Sequence, residues 1–144
     1  MGIGPSTKET SRHHFHDPLL EIVSADEELD LMGIMLVGTR AAVWAEAMRA
    51  DGVIISSDGW GNSDVDYVNT VDQLAKRGIA VAGLDFCGTA GQFVVESDNL
   101  DAIVDINKNP SGVETCVLGE NSVNTLDARK AAAMLKLKMR KMCK

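Results

Sequence analysis

The stretch from Gly52 to Gly78 constrains this chain more than any other, because it reads as a buried strand, a tight turn and an amphipathic helix in direct succession. Val53, Ile54 and Ile55 form a short apolar block suited to a strand covered on both faces, predicted over 53–57. Asp58-Gly59-Trp60-Gly61-Asn62 breaks that strand, since two glycines and an Asx residue mark a turn. Asn62 or Ser63 then caps a helix over 63–77, with Val65, Val68, Val71, Leu74 and Ala75 on one stripe and Gly78 as its stop. Open α/β sheets bind ligands at such strand-to-helix turns, beyond the carboxyl ends of their strands. The spacing matches neither the dinucleotide fingerprint nor the phosphate loop, so the position is marked and the ligand left open.

The flanking sequence extends this α/β pattern. Leu19–Val23 and Leu31–Val37 are apolar enough for strands, with the acidic turn Asp26-Glu27-Glu28 between them. Ala41–Ala50 is rich in helix formers. Ile79–Phe86, bounded by Gly78 and Gly88, reads as another buried strand. Gln92–Val95 fits a short strand or a helix start, Leu100–Ile106 is ambiguous, Asn107–Gly112 is a turn and Thr115–Leu118 fits a last strand. Thr125–Met142 is the strongest helix, capped by Asn124 or Thr125 with Asp127 in its first turn. Strands alternating with helices predict a mostly parallel sheet in a three-layer α/β sandwich, flavodoxin- or Rossmann-like. Residues 1–17 lack periodicity and read as an extended arm, leaving 18–144 as a single domain.

Composition narrows the function classes. No apolar run approaches the roughly 20 residues that span a bilayer, and the N-terminus lacks a secretory pattern, so a cytoplasmic protein is expected. Residues 129–144 hold seven Lys or Arg and no acid, which leaves −14 on the other 128 residues of a chain whose net charge is −7. An acidic body of that kind argues against nucleic-acid binding. Cations at the end of the last helix complement its dipole, and a docking surface for an acidic partner is the other reading. The three cysteines, Cys87, Cys116 and Cys143, are too far apart for a zinc pattern or a disulfide framework.

The candidate ligand or interface residues are Asp58, Gly59, Trp60, Gly61, Asn62, Asp64 and Asp66 around the first turn. Asp85, Gly88 and Gln92 join them around the second. The acids near the helix start serve equally well as caps, and Trp60 either folds over the strand ends or anchors a contact. Cys87 lies where a ligand-facing thiol would sit, and a helix following it would lower its pKa; burial as a small apolar side chain is the alternative. It is a weak catalytic candidate. His13, His14 and His16 lack carboxylate or thiol companions at metal-ligand spacing, so no metal is expected.

The run DGWGNSDVDYVNTVDQLAKRGIAVAGLDF resembles the pyruvoyl-type reductase subunits, those of D-proline reductase and of component B of the glycine, sarcosine and betaine reductases. GIGPSTKETSRHHFHDPLLEIV and GVETCVLGENSVNTLDARKAAAMLKLKM resemble the same family, with a lean toward its proline reductase branch. The resemblance implies reductive cleavage of a carbon–nitrogen bond, as in ring opening of D-proline to 5-aminovalerate during amino-acid fermentation of the Stickland type. It also implies a pyruvoyl group made from a precursor cysteine, an electron sink for a bound amine, with a selenol or thiol on a partner subunit as nucleophile. The resemblance places that cysteine at or upstream of the end of Leu31–Val37. Val37-Gly38-Thr39-Arg40-Ala41-Ala42 contains none, so no cofactor is expected in this chain.

The small size and missing cysteine are similar to short accessory paralogues of the reductases. The expected function is therefore that of a subunit or accessory paralogue of a D-proline reductase-type complex, partnered by larger reductase chains, with a selenoprotein or a homo-oligomer as further possibilities. Activity would be of the D-proline reductase (dithiol) or glycine reductase type and confined to the complex. A stand-alone α/β small-ligand-binding module without catalysis is the alternative.

Overall fold

The computed structural model describes residues 31–57, 62–87, 93–114 and 123–143. Its elements run in the order α1 (Leu31–Ala47), β1 (Gly52–Ser56), α2 (Asn62–Ala75), β2 (Ala80–Asp85), β3 (Ile103–Asp105) and α3 (Thr125–Met142). The arm and the proposed strands Leu19–Val23 and Thr115–Leu118 lie outside the described residues.

The predicted strand Leu31–Val37 is instead the first half of α1, continuous with the helix expected from Ala41. Only Ile34 and Val37 in that run are β-branched, so nothing favours extended backbone over helix. Gly38 does not break the helix because it serves a close approach: a Cβ there would meet Asn69 and lie 3.1 Å from the Thr70 hydroxyl of α2. Both α1 and α2 then stop in the same way. Arg49 (φ 55°) and Gly78 (φ 73°) take the left-handed conformation. Ala50 N–H reaches back to Ala45 O at 3.0 Å, and Ile79 N–H to Leu74 O at 3.2 Å, closing the helix ends in Schellman fashion.

The sheet has strand order β1-β2-β3, parallel throughout, with Gly52 aligned to Ala80 and Gly83 to Ile103. Every residue of β2 is buried, as a central strand requires. Its alternate side chains serve two helix layers. A Cβ on Gly83 would fall on the Tyr67 hydroxyl of α2, whereas one on Gly52, in the opposite phase, would lie 2.9 Å from Leu135 of α3. Helices therefore cover both faces, giving the parallel three-layer α/β arrangement. Among the described strands the order follows the chain, without the reversal that marks a flavodoxin or Rossmann switch point.

On the α2 face, Ala42, Ala45, Val68, Val71, Leu74 and Val81 form one core cluster. On the α3 face, Leu84, Phe86, Val104, Ile106 and Ala131 form another. Each fully buried Val or Leu here contributes about 1.5–3 kcal/mol relative to exposure. The segment 93–102 between β2 and β3, expected in part as strand or helix, is irregular. It is held by side chains of α2: Asp72 accepts from Ser97 Oγ at 2.6 Å and from Asn99 Nδ2 at 2.9 Å. The predicted helix Thr125–Met142 is present with a full capping box, Asn124 accepting from Leu126 and Asp127 N–H while Asp127 accepts from Asn124 N–H. Lys108 joins β3 to this cap through a buried ion pair with Asp127.

Candidate functional site

Parallel strands bring their carboxyl ends to one edge of the sheet, and acidic side chains collect there. Asp85 ends β2, and Asp105, directly across from it in register, ends β3. They lie in the same strand phase as Gly83, on the face toward α2. Asp85 has no exposed surface, and its Oδ1 accepts from Phe86 N–H at 2.8 Å. Asp105 accepts from Asn107 N–H at 2.7 Å, an Asx turn that carries the chain off β3. Asp64, in the first turn of α2, is 1% exposed and accepts from Val94 N–H at 3.2 Å. Its position suits the helix dipole, and its hydrogen bond pins the irregular segment against the helix start.

Tyr67, one turn further along α2, stacks on Phe93 with ring centroids 5.8 Å apart. Its hydroxyl reaches over Gly83 and has no hydrogen-bond partner among the described residues. Burial, and then the charge of Asp85, push the phenol well above its usual range. Asn107 is wholly buried, and neither atom of its amide finds a partner among the described residues. Beyond β3, a crevice of about 510 Å³ opens between Asp105, Lys108, Glu114 and Lys130 over Ile103 and Met134.

Cys87 follows β2 and is half-buried. Its thiol is pushed up from 9.0 to about 12, chiefly by burial, then by Asp105, Asp85, Asp64 and Glu114. This corrects the expectation that a following helix would lower it. Burial and the negative field of the strand ends act in the same direction, so at neutral pH the group is a neutral thiol and a poor nucleophile. Chemically, the arrangement offers acceptors to a cationic donor and does not present an activated thiol.

Of the sequence-predicted site residues, Asp64, Asp85 and Cys87 come together at this edge. Asp66 is half-buried on α2, where its carbonyl accepts from the Thr70 hydroxyl at 2.9 Å. Asn62 opens α2. Asp58, Gly59, Trp60, Gly61, Gly88 and Gln92 lie outside the described residues, as do the three histidines. Tyr67, Asp105, Asn107 and Glu114 were not anticipated. A signal for Asp105 was present, because Leu84-Asp85-Phe86 and Val104-Asp105-Ile106 repeat one pattern at the ends of adjacent strands. Among the described residues no group of His, Cys, Asp or Glu is arranged to hold a metal ion, and no helix is long and apolar enough to cross a membrane.

Residues 11–118 match the family of glycine/sarcosine/betaine reductase component B subunits. The chain is 37% identical, over 93% of its length, to the D-proline reductase proprotein PrdA of Acetoanaerobium sticklandii, and it spans only 23% of that relative. No solved structure matches. The family match runs from the arm through both predicted ligand turns and the whole sheet, and the chain belongs to the glycine/sarcosine/betaine reductase component B family.

Proposed function

We propose that this chain is a subunit or accessory paralogue of a D-proline reductase-type complex, serving reductive carbon–nitrogen bond cleavage in amino-acid fermentation. The observation that carries the reading is the 37% identity across 93% of the chain to a proprotein of which it spans 23%. A segment of that proportion supplies one folded part of a larger assembly, and larger reductase chains are its partners. No cysteine lies near the end of Leu31–Val37 or upstream of it, where the family resemblance puts a pyruvoyl precursor. Those residues do not fit a pyruvoyl group. Cys87, with a thiol near 12, does not replace it as a nucleophile.

Two surfaces suit such a role. Leu36, Val43 and Trp44 on α1, and Met48 just beyond it, are between 38% and 64% exposed, with Arg40 lying over the Trp44 ring. Exposed apolar side chains beside a charged one suit contact with another chain. The acidic strand-end edge faces whatever the complex places against it, and it suits the amine end of a substrate better than its carboxylate. Affinity purification of the tagged chain from its native source tests the reading. Recovery of the larger reductase chains, with D-proline-dependent formation of 5-aminovalerate in the eluate, is expected. A chain that elutes free of them overturns it.

A further inference from the structure

The cations gathered on α3 are not neutralised within the helix. Asp127 is the last acid in the sequence and is already paired with Lys108, so no acid further along α3 can pair with Arg129, Lys136, Arg140 or Lys141. All are exposed and make no ion pair or hydrogen bond among the described residues. Leu137, 55% exposed, stands among them. Arg140 and Lys141 complement the helix dipole in the last turn, but Arg129 and Lys136 lie too far from the end for that. A patch of the opposite sign borders this face. In the irregular segment after β2, Phe93 and Val95 pack on the core and Ser97 and Asn99 bond to Asp72, while Glu96 and Asp98 between them are exposed. The far end of that segment is fixed to α3 by Lys138, which donates to the Asn99 carbonyl at 3.0 Å and pairs with the exposed Asp101 carboxylate. Lys141 stands one turn from Lys138 on the same side of the helix, so acids and cations share one surface.

Neighbouring patches of opposite sign are self-complementary under a twofold rotation, which sets each against its opposite in a second copy. We propose that this surface is a homodimer interface, in which the α3 cations around Leu137 of one copy face Glu96, Asp98 and Asp101 of a second copy, and the reverse. Stacking α3 directly on its counterpart would instead oppose cation to cation. A polyanion such as nucleic acid would meet the acids beside the cations, on a chain whose net charge is −7. At about 0.1 M salt the Debye length is about 10 Å. Touching patches therefore attract at nearly full strength, while the repulsion between the two acidic bodies is largely screened. The pairing involves copies of this chain alone, and it stands apart from any association with larger reductase chains.

The test is sedimentation equilibrium of the full chain at about 0.1 M salt, where only close charges act on one another. The wild-type chain is expected to sediment as a dimer in equilibrium with monomer. Lys136→Glu/Arg140→Glu and Glu96→Lys/Asp98→Lys should each weaken the dimer at least tenfold. Mixed in equal amounts, these two variants should associate again, because the reversed patches of one meet the opposite patches of the other. Arg49→Glu/Lys76→Glu alters the net charge as much as the α3 variant does, but outside the surface, and should leave the dimer unchanged. A monomeric wild-type chain, a dimer indifferent to both reversals, or equal weakening by Arg49→Glu/Lys76→Glu overturns the interface. So does a mixture of the two reversed variants that stays monomeric. Co-elution with the larger reductase chains is measured separately, so loss of the dimer and loss of the complex remain distinguishable.

Discussion

Cys87 gives the sharpest reading of the electrostatics at the strand ends. Its thiol lies near 12 instead of 9.0, chiefly through burial and then through Asp105. At pH 8 that difference lowers the thiolate fraction about a thousandfold. A more basic thiolate is also more nucleophilic, which returns about twentyfold to thirtyfold of the rate. The net expectation is reaction with a disulfide reagent about thirtyfold to sixtyfold slower than an ordinary free thiol, before any shielding by half-burial. A Cys116→Ser/Cys143→Ser variant leaves Cys87 as the only thiol, and its reaction with Ellman's reagent can be followed from pH 7 to 10.5. The rate should rise about tenfold per pH unit across that range without levelling. Replacing Asp105 by Asn should recover part of the rate, since the charge that weighs most after burial is gone while burial remains. The linkage has a definite sign. A thiol whose folded pKa exceeds its unfolded value stabilises the native state below pH 9 and loses that contribution as pH rises toward 12, so the wild-type chain should soften across this alkaline window. A plateau in the rate near pH 9, or reaction at pH 8 as fast as free cysteine, would refute the account.

Three further outcomes follow from the packing. Asn124→Ala removes the reciprocal cap of α3 and should cost about 1 kcal/mol, lowering the melting temperature by about 2–4 °C in calorimetry. Lys108→Met leaves Asp127, whose side chain is 1% exposed, without its buried cation, and denaturant unfolding should show a loss of about 3–5 kcal/mol. Tyr67→Phe deletes a buried hydroxyl that lacks a partner among the described residues, so the free chain should be unchanged or gain up to about 1 kcal/mol in the same assay.

The parts legible in the sequence were those specified locally. The apolar block at 53–55, the left-handed Gly78, the Asn124 cap with Asp127 and the amphipathic stripe of α2 each act within a few residues, and each appears at its expected place, although β1 is at the edge of the described sheet and leaves Ile54 37% exposed where burial on both faces was expected. Leu31–Val37 misled because an apolar run without periodic polar residues fits strand and helix alike, and contact with α2 through Gly38 decided the matter. At the candidate site, Asp64 and Asp85 could be placed from their positions at a helix start and a strand end. Asp105 repeats the strand-end pattern of Asp85, but its place across from Asp85 depends on β3 pairing with β2 in a register that no local signal sets, and Asn107 carries no such mark. Tyr67 escaped for a related reason, since only the missing Cβ of Gly83, across the layer, makes room for its hydroxyl. The sign of the Cys87 shift was likewise non-local, coming from burial and from four carboxylates, on α2, β2, β3 and at Glu114.

The most direct measurement is size-exclusion chromatography of the native reductase coupled to intact-mass spectrometry. The account predicts that this chain co-elutes in fixed ratio with larger reductase chains, unsplit and without the mass change of a cysteine converted to a pyruvoyl group. Elution apart from those chains, or a fragment beginning with a pyruvoyl group at one of its cysteines, would contradict it.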